Sequence, residues 1–379
     1  MSDLPFDPVQ IERAEIHVVE LPLKFRFETS FGAQTARVVP VLVLHGADGS
    51  FGLAEAVMDH AWPLYREEIV ESAVPLAVRM LEQFVIGRSF TDPAEVAPVF
   101  AHLRGNRMTK AMIEMAVWDL QARRLDLPLQ ELLGGSGDEI ATGVSLGIQP
   151  TIAATLDLVT RHVELGYRRI KLKIKPGWDV EPLAAVRAEY PHLVMTADAN
   201  CAYTLADTAR LCRIDDVGLD YIEQPLAWDD IVDHAQLARA MNTPICLDES
   251  IASTTNARHA IGLGACRVIN MKVGRVGGHA EALDIESLAR AAGVPLWCGG
   301  MLETGVGRAH NIHLATLPGF SKPGDVSSSS RYWDHDIIEQ QLECEGGMMP
   351  VPPGAGIGVT LDMDTVRRCR REHHVITAR

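Results

Sequence analysis

Polar residues recur at a nearly constant interval through the middle of the chain, each near the end of a short apolar segment. The series runs Lys173, Asp198, Glu223, Asp248, Lys272 and Cys298, with intervals of 25, 25, 25, 24 and 26 residues. In a parallel (β/α) barrel, the carboxyl ends of the strands meet at one mouth. The spacing therefore predicts that three carboxylates and two lysines share one site.

The three acids predict a metal site. Carboxylates on neighbouring strand ends repel one another and raise their own pKa values unless a cation balances them. Oxygen ligands suit Mg²⁺ or Mn²⁺ better than zinc, which favours His or Cys in its ligand set. We therefore expect Asp198, Glu223 and Asp248 to hold Mg²⁺ (or Mn²⁺). The alternative is that each acid caps the helix that follows its strand.

The lysines of the segment RIKLKIKPG (169–177) predict a proton-transfer site. Alternate side chains of a barrel strand face the interior, so Lys171, Lys173 and Lys175 are expected inside, near the open mouth, with Lys272 opposite. A partly desolvated lysine beside other cations can act as a general base, and a metal can stabilise the enediolate formed by removal of a proton α to a carboxylate. The alternative is an edge strand with a solvated lysine face.

The elements that must position these residues follow a strand–helix alternation after residue 136. Amphipathic helical segments separate seven strand candidates: TGVSLGI, RRIKLKI, LVMTADAN, DYIEQP, PICLDES, VINMKV and PLWCGG. Before them, two β-rich segments joined by the turn GADGS and helical patterns at 64–84 and 109–125 predict an α+β region. An open doubly wound sheet is the alternative, but no G-x-G-x-x-G motif follows the first strand.

Composition restricts the classes of partner. The net charge of −15, without basic runs, argues against nucleic acid and anionic membranes as partners. No apolar segment reaches the ~20 residues of a spanning helix, and the N-terminal residues lack a signal-peptide pattern, so we expect a cytoplasmic protein. Seven scattered cysteines, without a C-x-x-C pair, are expected to be reduced.

These motifs resemble those of the enolase superfamily, in its muconate-lactonising subgroup. The resembling segments are KLK (171–173), ADAN, IEQP, LDES and NMKVG. In addition, RFETSFG (26–32), GNRM (105–108), KIKPGWD and WCGGMLETGVGRAHN are similar to the o-succinylbenzoate synthase and N-acyl (N-succinyl) amino acid racemase family. The resemblance implies a modified (β/α)7β TIM barrel (136–339) and an α+β capping domain (1–135) that the segment 340–379 completes.

The resemblance also implies roles for individual residues. Lys173 and Lys272 would be the acid/base pair, Asp198, Glu223 and Asp248 the metal ligands, and Lys171 an electrostatic neighbour of the substrate carboxylate. Substrate-contacting positions would be Ser145, Asn200, Met301 and Leu302, with a lid at Phe27–Phe31. Glu249 suits a partner of a lysine or a helix cap equally, and His310 and His313 are expected to be structural helix residues.

The implied activity is racemisation of N-acyl amino acids, o-succinylbenzoate synthesis, or both, on a small-molecule carboxylate, in a homo-oligomer. Dipeptide epimerase and muconate-type cycloisomerase use the same lysines and acids and stay open as alternatives. From a different class, a non-catalytic metal-binding barrel also stays open. Its buried charges would then cost stability without a chemical reason.

Overall fold

The computed structural model describes residues 6–29, 32–65 and 67–378. It shows an N-terminal capping domain and a barrel-like sheet of seven parallel strands, as the sequence predicted. Within those ranges, no helix has both the length and the apolar character needed to cross a membrane.

The capping domain is an antiparallel sheet with helices packed against it. Its elements are β1 (Val9–Thr29), β2 (Gly32–Gly46), β3 (Phe51–Glu55), α1 (Val70–Phe84), β4 (Ser89–Phe90), α2 (Val96–Val99), α3 (Arg107–Arg124) and α4 (Leu129–Leu133). The predicted turn at GADGS joins β2 to β3. At Gly52 of β3, an added Cβ would lie 2.0 Å from the carbonyl oxygen of Ala116, so only glycine lets α3 approach the sheet this closely.

The first predicted helix begins later than the sequence pattern indicated. It starts at Val70, whereas the prediction began at residue 64. Residues before it are in other contacts: Asp59 bridges to Ile69, and Glu68 accepts hydrogen bonds from the amides of Met108 and Thr109 at the start of α3. Long-range pairing therefore prevails over local helical periodicity in this segment.

The barrel contains all seven predicted strands, in the sheet order β12-β11-β10-β9-β8-β7-β6. Its elements are β5 (Glu139–Ala141), β6 (Gly143–Leu146), α5 (Ile152–Glu164), β7 (Arg169–Lys173), α6 (Val180–Glu189), β8 (Met195–Asp198), α7 (Thr208–Leu211), β9 (Ile222–Glu223), α8 (Val232–Ala240), β10 (Ile245–Leu247), α9 (Thr254–Leu263), β11 (Val268–Met271), α10 (Val273–Val276), α11 (His279–Ala291), β12 (Leu296–Cys298) and α12 (Gly305–Leu314).

An irregular segment joins the two ends of this sheet. The amide of Asp325 donates to the Cys298 carbonyl of β12, and the amide of Gly143 in β6 donates to the Gly324 carbonyl. An added Cβ on Gly324 would lie 2.8 Å from the Cys298 carbonyl oxygen, so the approach requires glycine. The segment 322–325 thus closes the ring where a regular barrel has its eighth strand.

The last described segment of the chain returns to the capping domain. The last elements are β13 (Met348–Pro350), α13 (Met363–Cys369) and β14 (Arg370–Thr377). β14 pairs antiparallel with β1, and β13 pairs with β5. The exact domain limits stay a prediction.

A buried carboxylate connects the capping domain to the barrel. Glu55, at the end of β3, accepts hydrogen bonds from the Thr304 amide (3.1 Å), the Thr304 hydroxyl and the Gly307 amide (2.9 Å) at the start of α12. On the same helix, His310 lies 2.8 Å from the carbonyl oxygen of Leu53. These contacts fix α12 against β3.

Candidate active site

A small cavity of about 70 Å³ lies at the carboxyl ends of the barrel strands. Seven residues singled out from the sequence line it: Ser145, Lys171, Lys173, Asp198, Lys272, Met301 and Leu302. The remaining three, Asn200, Glu223 and Asp248, bind the lysines of this wall through hydrogen bonds. The structure therefore brings these ten residues into one cluster.

The two lysines of β7 both contact Asp198, and Lys171 also contacts Glu223. Lys171 Nζ lies 2.7 Å from Glu223 Oε2 and 3.4 Å from Asp198 Oδ2, and Lys173 Nζ lies 2.6 Å from Asp198 Oδ2. Burial opposes the charge of Lys171, but the carboxylates around it, led by Asp325, raise its pKa well above the ordinary value. Lys171 is therefore a permanent cation, suited to holding an anion but not to proton transfer.

Lys272 approaches the cavity from β11, on the far side of the acids. Its Nζ lies 2.7 Å from Asp248 Oδ2 and also donates to the Tyr65 hydroxyl of the capping domain. Arg275 Nη1 binds the other oxygen of Asp248, and its Nη2 lies 2.7 Å from the Tyr65 hydroxyl. Burial lowers the pKa of Lys272, and the Arg275 charge lowers it further, while Asp248 acts in the opposite direction.

The three acids have different electrostatic environments. Burial favours a raised pKa for Asp198 and for Asp248, but neighbouring cations outweigh it. Lys173 and Lys171 hold the pKa of Asp198 below its usual range, and Arg275 and Lys272 do the same for Asp248. Burial and the charge of Asp198 raise the pKa of Glu223 to about 7. Repulsion among three carboxylates is thus present at this site.

A chain of polar contacts runs from Lys173 to Glu249. Lys173 Nζ donates to Asn200 Oδ1 (2.7 Å), and Asn200 Nδ2 donates to Glu249 Oε1 (3.2 Å). The following helix, α9, is capped by Ser253, not by Glu249. Of the two possibilities raised by the sequence, Glu249 is therefore the indirect partner of a lysine.

The backbone at these strand ends adopts uncommon conformations. Asn200 (φ 42°), Gln224 (φ 37°) and Leu302 (φ 61°) are all left-handed, which is costly for residues other than glycine. Gln224 Oε1 accepts the amide of Asp248 at 3.0 Å, so this turn helps to position the third acid. Two of these turns thus hold Asn200 beside Lys173 and Gln224 beside Asp248.

The predicted position of Lys175 is wrong. β7 ends at Lys173, and Lys175 pairs with Trp178 in the following turn, where it is exposed. It lines a separate, larger groove of about 920 Å³ between β1 and the loops after β6 and β7. That groove contains neither proposed catalytic lysine nor any of the three acids, so the smaller cavity is the candidate active site.

Part of the predicted lid lies outside the described residues, namely 30 and 31. Phe27 and Gln34, on either side of that gap, line the small cavity, and Phe27 also lines the larger groove.

Ser145 contributes a buried hydroxyl, and the amide of Met301 donates to Glu303 Oε1 (2.7 Å).

The sequence pattern did not indicate four residues of the site: Tyr65, Arg275, Asp325 and Asn270. Asn270 Nδ2 donates to Glu223 Oε1 at 2.8 Å. Asp325 lies 2.7 Å from Lys171 Nζ and binds Arg169 at the same distance. It follows Cys298 by 27 residues, so one more step of the same interval would have indicated it. Tyr65 lies on a capping-domain loop, where no spacing could have revealed it.

Comparison with known proteins agrees with this geometry. Residues 13–134 match the "Mandelate racemase / muconate lactonizing enzyme, N-terminal domain" family, and residues 154–365 match the "Enolase C-terminal domain-like" family. The chain belongs to the enolase superfamily. Members of that superfamily bind a divalent metal ion.

Individual relatives resemble the chain over almost its whole length. It is 57% identical to an N-succinylamino acid racemase of Thermus thermophilus, over 95% of this chain and 97% of the relative. It is 49% identical to an o-succinylbenzoate synthase of Geobacillus kaustophilus, over 95% and 96% respectively. A crystal structure of an enolase superfamily member from Listeria innocua superposes with a TM-score of 0.94 at 38% identity, over 97% of this chain and 99% of that one.

The donor set of this superfamily member fits a divalent metal ion. Asp198, Glu223 and Asp248 are at most 1% exposed and offer only carboxylate oxygens, the ligands preferred by hard cations. The raised pKa of Glu223 reflects the mutual repulsion that a cation would relieve. Lysine and arginine side chains balance these carboxylates in the structure.

Proposed function

We propose that the protein is an N-acyl (N-succinyl) amino acid racemase, an o-succinylbenzoate synthase, or both. The observation that carries the proposal is the approach of Lys173 and Lys272 to one cavity from β7 and β11, with the three acids on the strands between them. Relatives with 57% and 49% identity bear these two names, which disfavours dipeptide epimerase and muconate-type cycloisomerase.

The proposed substrate is a small-molecule carboxylate. Asp198, Glu223 and Asp248 would hold Mg²⁺ (or Mn²⁺), which supplies stabilisation of negative charge on the substrate's carboxylate oxygens. The permanent cation Lys171 lies beside the same acids and would attract the carboxylate. Ser145, Asn200, Met301 and Leu302 would contact the rest of the substrate.

In racemisation, the two lysines would work on opposite faces of the α-carbon. One neutral lysine takes the α-proton, the C–H electron pair passes toward the carboxylate, and the protonated lysine opposite returns a proton to the other face. Protons and charge balance, and no redox partner is needed. In the synthase reaction, Lys173 would remove the α-proton as hydroxide departs, while Lys272 stays protonated and stabilises the negative charge.

The decisive experiment is proton NMR in D₂O of N-succinyl-phenylalanine with the protein and Mg²⁺. We expect loss of the α-proton signal for both enantiomers, and no loss when EDTA is present. Lys173→Ala and Lys272→Ala should each abolish racemisation. Lys175→Ala is the matched control, because Lys175 is exposed outside the cavity. This variant should exchange the α-proton at the rate of the unaltered protein.

The outcome separates the two activities. Absence of exchange in a folded, metal-loaded protein would remove the racemase proposal and leave the synthase, which is then assayed by o-succinylbenzoate formation from its cyclic hydroxy-acid precursor. Absence of both activities would support the non-catalytic metal-binding barrel. We further propose that the protein has no nucleic-acid or membrane partners, on the basis of its acidic net charge. The family resemblance suggests a homo-oligomer, which we propose acts in the cytoplasm.

A further inference from the structure

A second group of potential metal ligands lies in the capping domain, remote in sequence from the barrel acids. Glu15 and His17 are two residues apart on β1, so their side chains share one face of the sheet. His373 on β14 is the direct antiparallel partner of His17. We call Glu15, His17 and His373 the sheet cluster.

The ligand atoms of the sheet cluster converge. One nitrogen of each imidazole and one carboxylate oxygen all lie within 4.8 Å of one another. Glu15 Oε2 is 2.9 Å from His373 Nε2 and 4.0 Å from His17 Nε2. The two imidazole rings stack with centroids 4.4 Å apart. Small side-chain rotations would bring all three atoms to the ~2.0–2.2 Å ligand distances of a zinc-type ion.

Burial makes the arrangement difficult to explain as a simple hydrogen-bonded cluster. The His17 side chain is only 2% exposed, and its Nδ1 has no hydrogen-bond partner within the described part of the chain. Its Nε2 is beyond hydrogen-bond distance from Glu15. A buried imidazole nitrogen without a partner costs free energy. The other nitrogen, Nε2, faces Glu15 Oε2 and is the one that would bind a metal ion.

The other neighbours of Glu15 occupy only the oxygen that faces away from the two histidines. Arg13 Nη1 lies 2.8 Å from Glu15 Oε1, and His45 Nε2 lies 3.1 Å from the same oxygen. Oε2 faces the two histidines instead. Arg13 therefore orients the carboxylate and reduces its charge without covering the oxygen that would bind the metal.

We propose that the sheet cluster binds a divalent transition-metal ion of the zinc class, with Glu15, His17 and His373 as ligands and water completing the coordination. Two imidazoles and a carboxylate suit zinc, cobalt or nickel, whereas the barrel acids suit magnesium or manganese. The ion would link β14 to β1, because its ligands Glu15 and His373 lie 358 residues apart in the sequence. The inference does not depend on the catalytic activity.

The test is a zinc titration followed by equilibrium dialysis, with excess Mg²⁺ present to occupy the barrel acids. We expect one zinc ion per chain in the unaltered protein. Glu15→Gln and His373→Gln should each weaken binding by about 100-fold or more, since even altering an outer partner of a ligand costs 10–100-fold. His374→Gln is the matched control. His374 follows His373 on β14, so its side chain lies on the opposite face of the sheet, where it contacts Glu372.

Cobalt provides a readout of the ligands themselves. Co²⁺ in place of zinc should give visible absorption bands of a nitrogen- and oxygen-ligated site, and His373→Gln should remove them. His373→Gln is the deciding variant, because the His373 side chain is 30% exposed and its replacement should leave the fold intact. Equal zinc affinity in the unaltered protein, Glu15→Gln and His373→Gln would overturn the proposal.

Discussion

The buried carboxylate of Glu55 should make the stability of the protein depend on pH. Burial is the largest influence and raises the pKa of Glu55 from 4.5 to about 8, although three hydrogen-bond donors at the start of α12 favour the charged form. Because the folded state holds the proton more tightly than the unfolded state, this contribution is complete below pH 4.5. It is lost as the pH rises toward 8.

The magnitude follows from the width of this window. Each pH unit between the two pKa values changes the free energy of unfolding by about 1.4 kcal/mol, so ionisation of Glu55 should lower that free energy by roughly 3 kcal/mol between pH 5.5 and 7.5. Glu55→Gln cannot titrate. The difference in unfolding free energy between the unaltered protein and the variant should therefore change by that amount over the same interval.

The assay is urea unfolding followed by tryptophan fluorescence, at fixed protein concentration and at both pH values. The compared quantity is the change in unfolding free energy between the two pH values. Subtracting this change for Glu55→Gln from that for the unaltered protein removes the contribution of the other titrating groups and any constant effect of the substitution on packing. Parallel dependences for the two proteins would refute the reasoning. They would show that the α12 amides and the Thr304 hydroxyl keep Glu55 charged in the folded state.

Three further predictions concern the site and the backbone. Asn200→Ala removes a hydrogen bond to Lys173 and should slow α-proton exchange in D₂O by about 10- to 100-fold, with the fold unchanged by circular dichroism. Removing Mg²⁺ with EDTA should lower the free energy of unfolding by about 2.7 kcal/mol relative to protein in Mg²⁺ at 100 times the dissociation constant of the metal. Urea unfolding measures this difference, and equal urea midpoints with and without EDTA would contradict metal binding. Gly166→Ala and Gly264→Ala both place alanine at positive φ, but only the former brings Cβ to 2.9 Å from Gly346 Cα. It should cost about 1–3 kcal/mol more in urea unfolding than Gly264→Ala.

The barrel and most of its polar rim could be predicted because they follow local periodicity. A strand, a helix and a return of about 25 residues repeat along the chain, so Asp198, Glu223 and Asp248 fall at equivalent positions. The alternation within β7 placed Lys171 and Lys173 inside correctly. It failed for Lys175, because the strand ends two residues earlier and the turn to Trp178 breaks the alternation.

What the sequence could not show depends on contacts between distant parts of the chain. Tyr65 reaches Lys272 and Asp248 across the interface between the two domains, and no repeat relates the capping-domain loop to the barrel strands. The delayed start of α1 has the same origin, since Glu68 is used at the start of α3. Irregular closure at 322–325 lacks a strand pattern because glycine and proline replace β-branched residues there.

The pairing of β14 with β1 has a consequence for folding during synthesis. When β1 and β2 leave the ribosome they can form their hairpin, but one edge of β1 waits until residues 370–377 have also emerged. An unpaired strand edge is a template for association with other chains. The barrel strands, each paired with a neighbour only some 25 residues away, can assemble meanwhile. The nascent capping sheet therefore keeps an open edge, at which other chains could associate, until β14 has been synthesised.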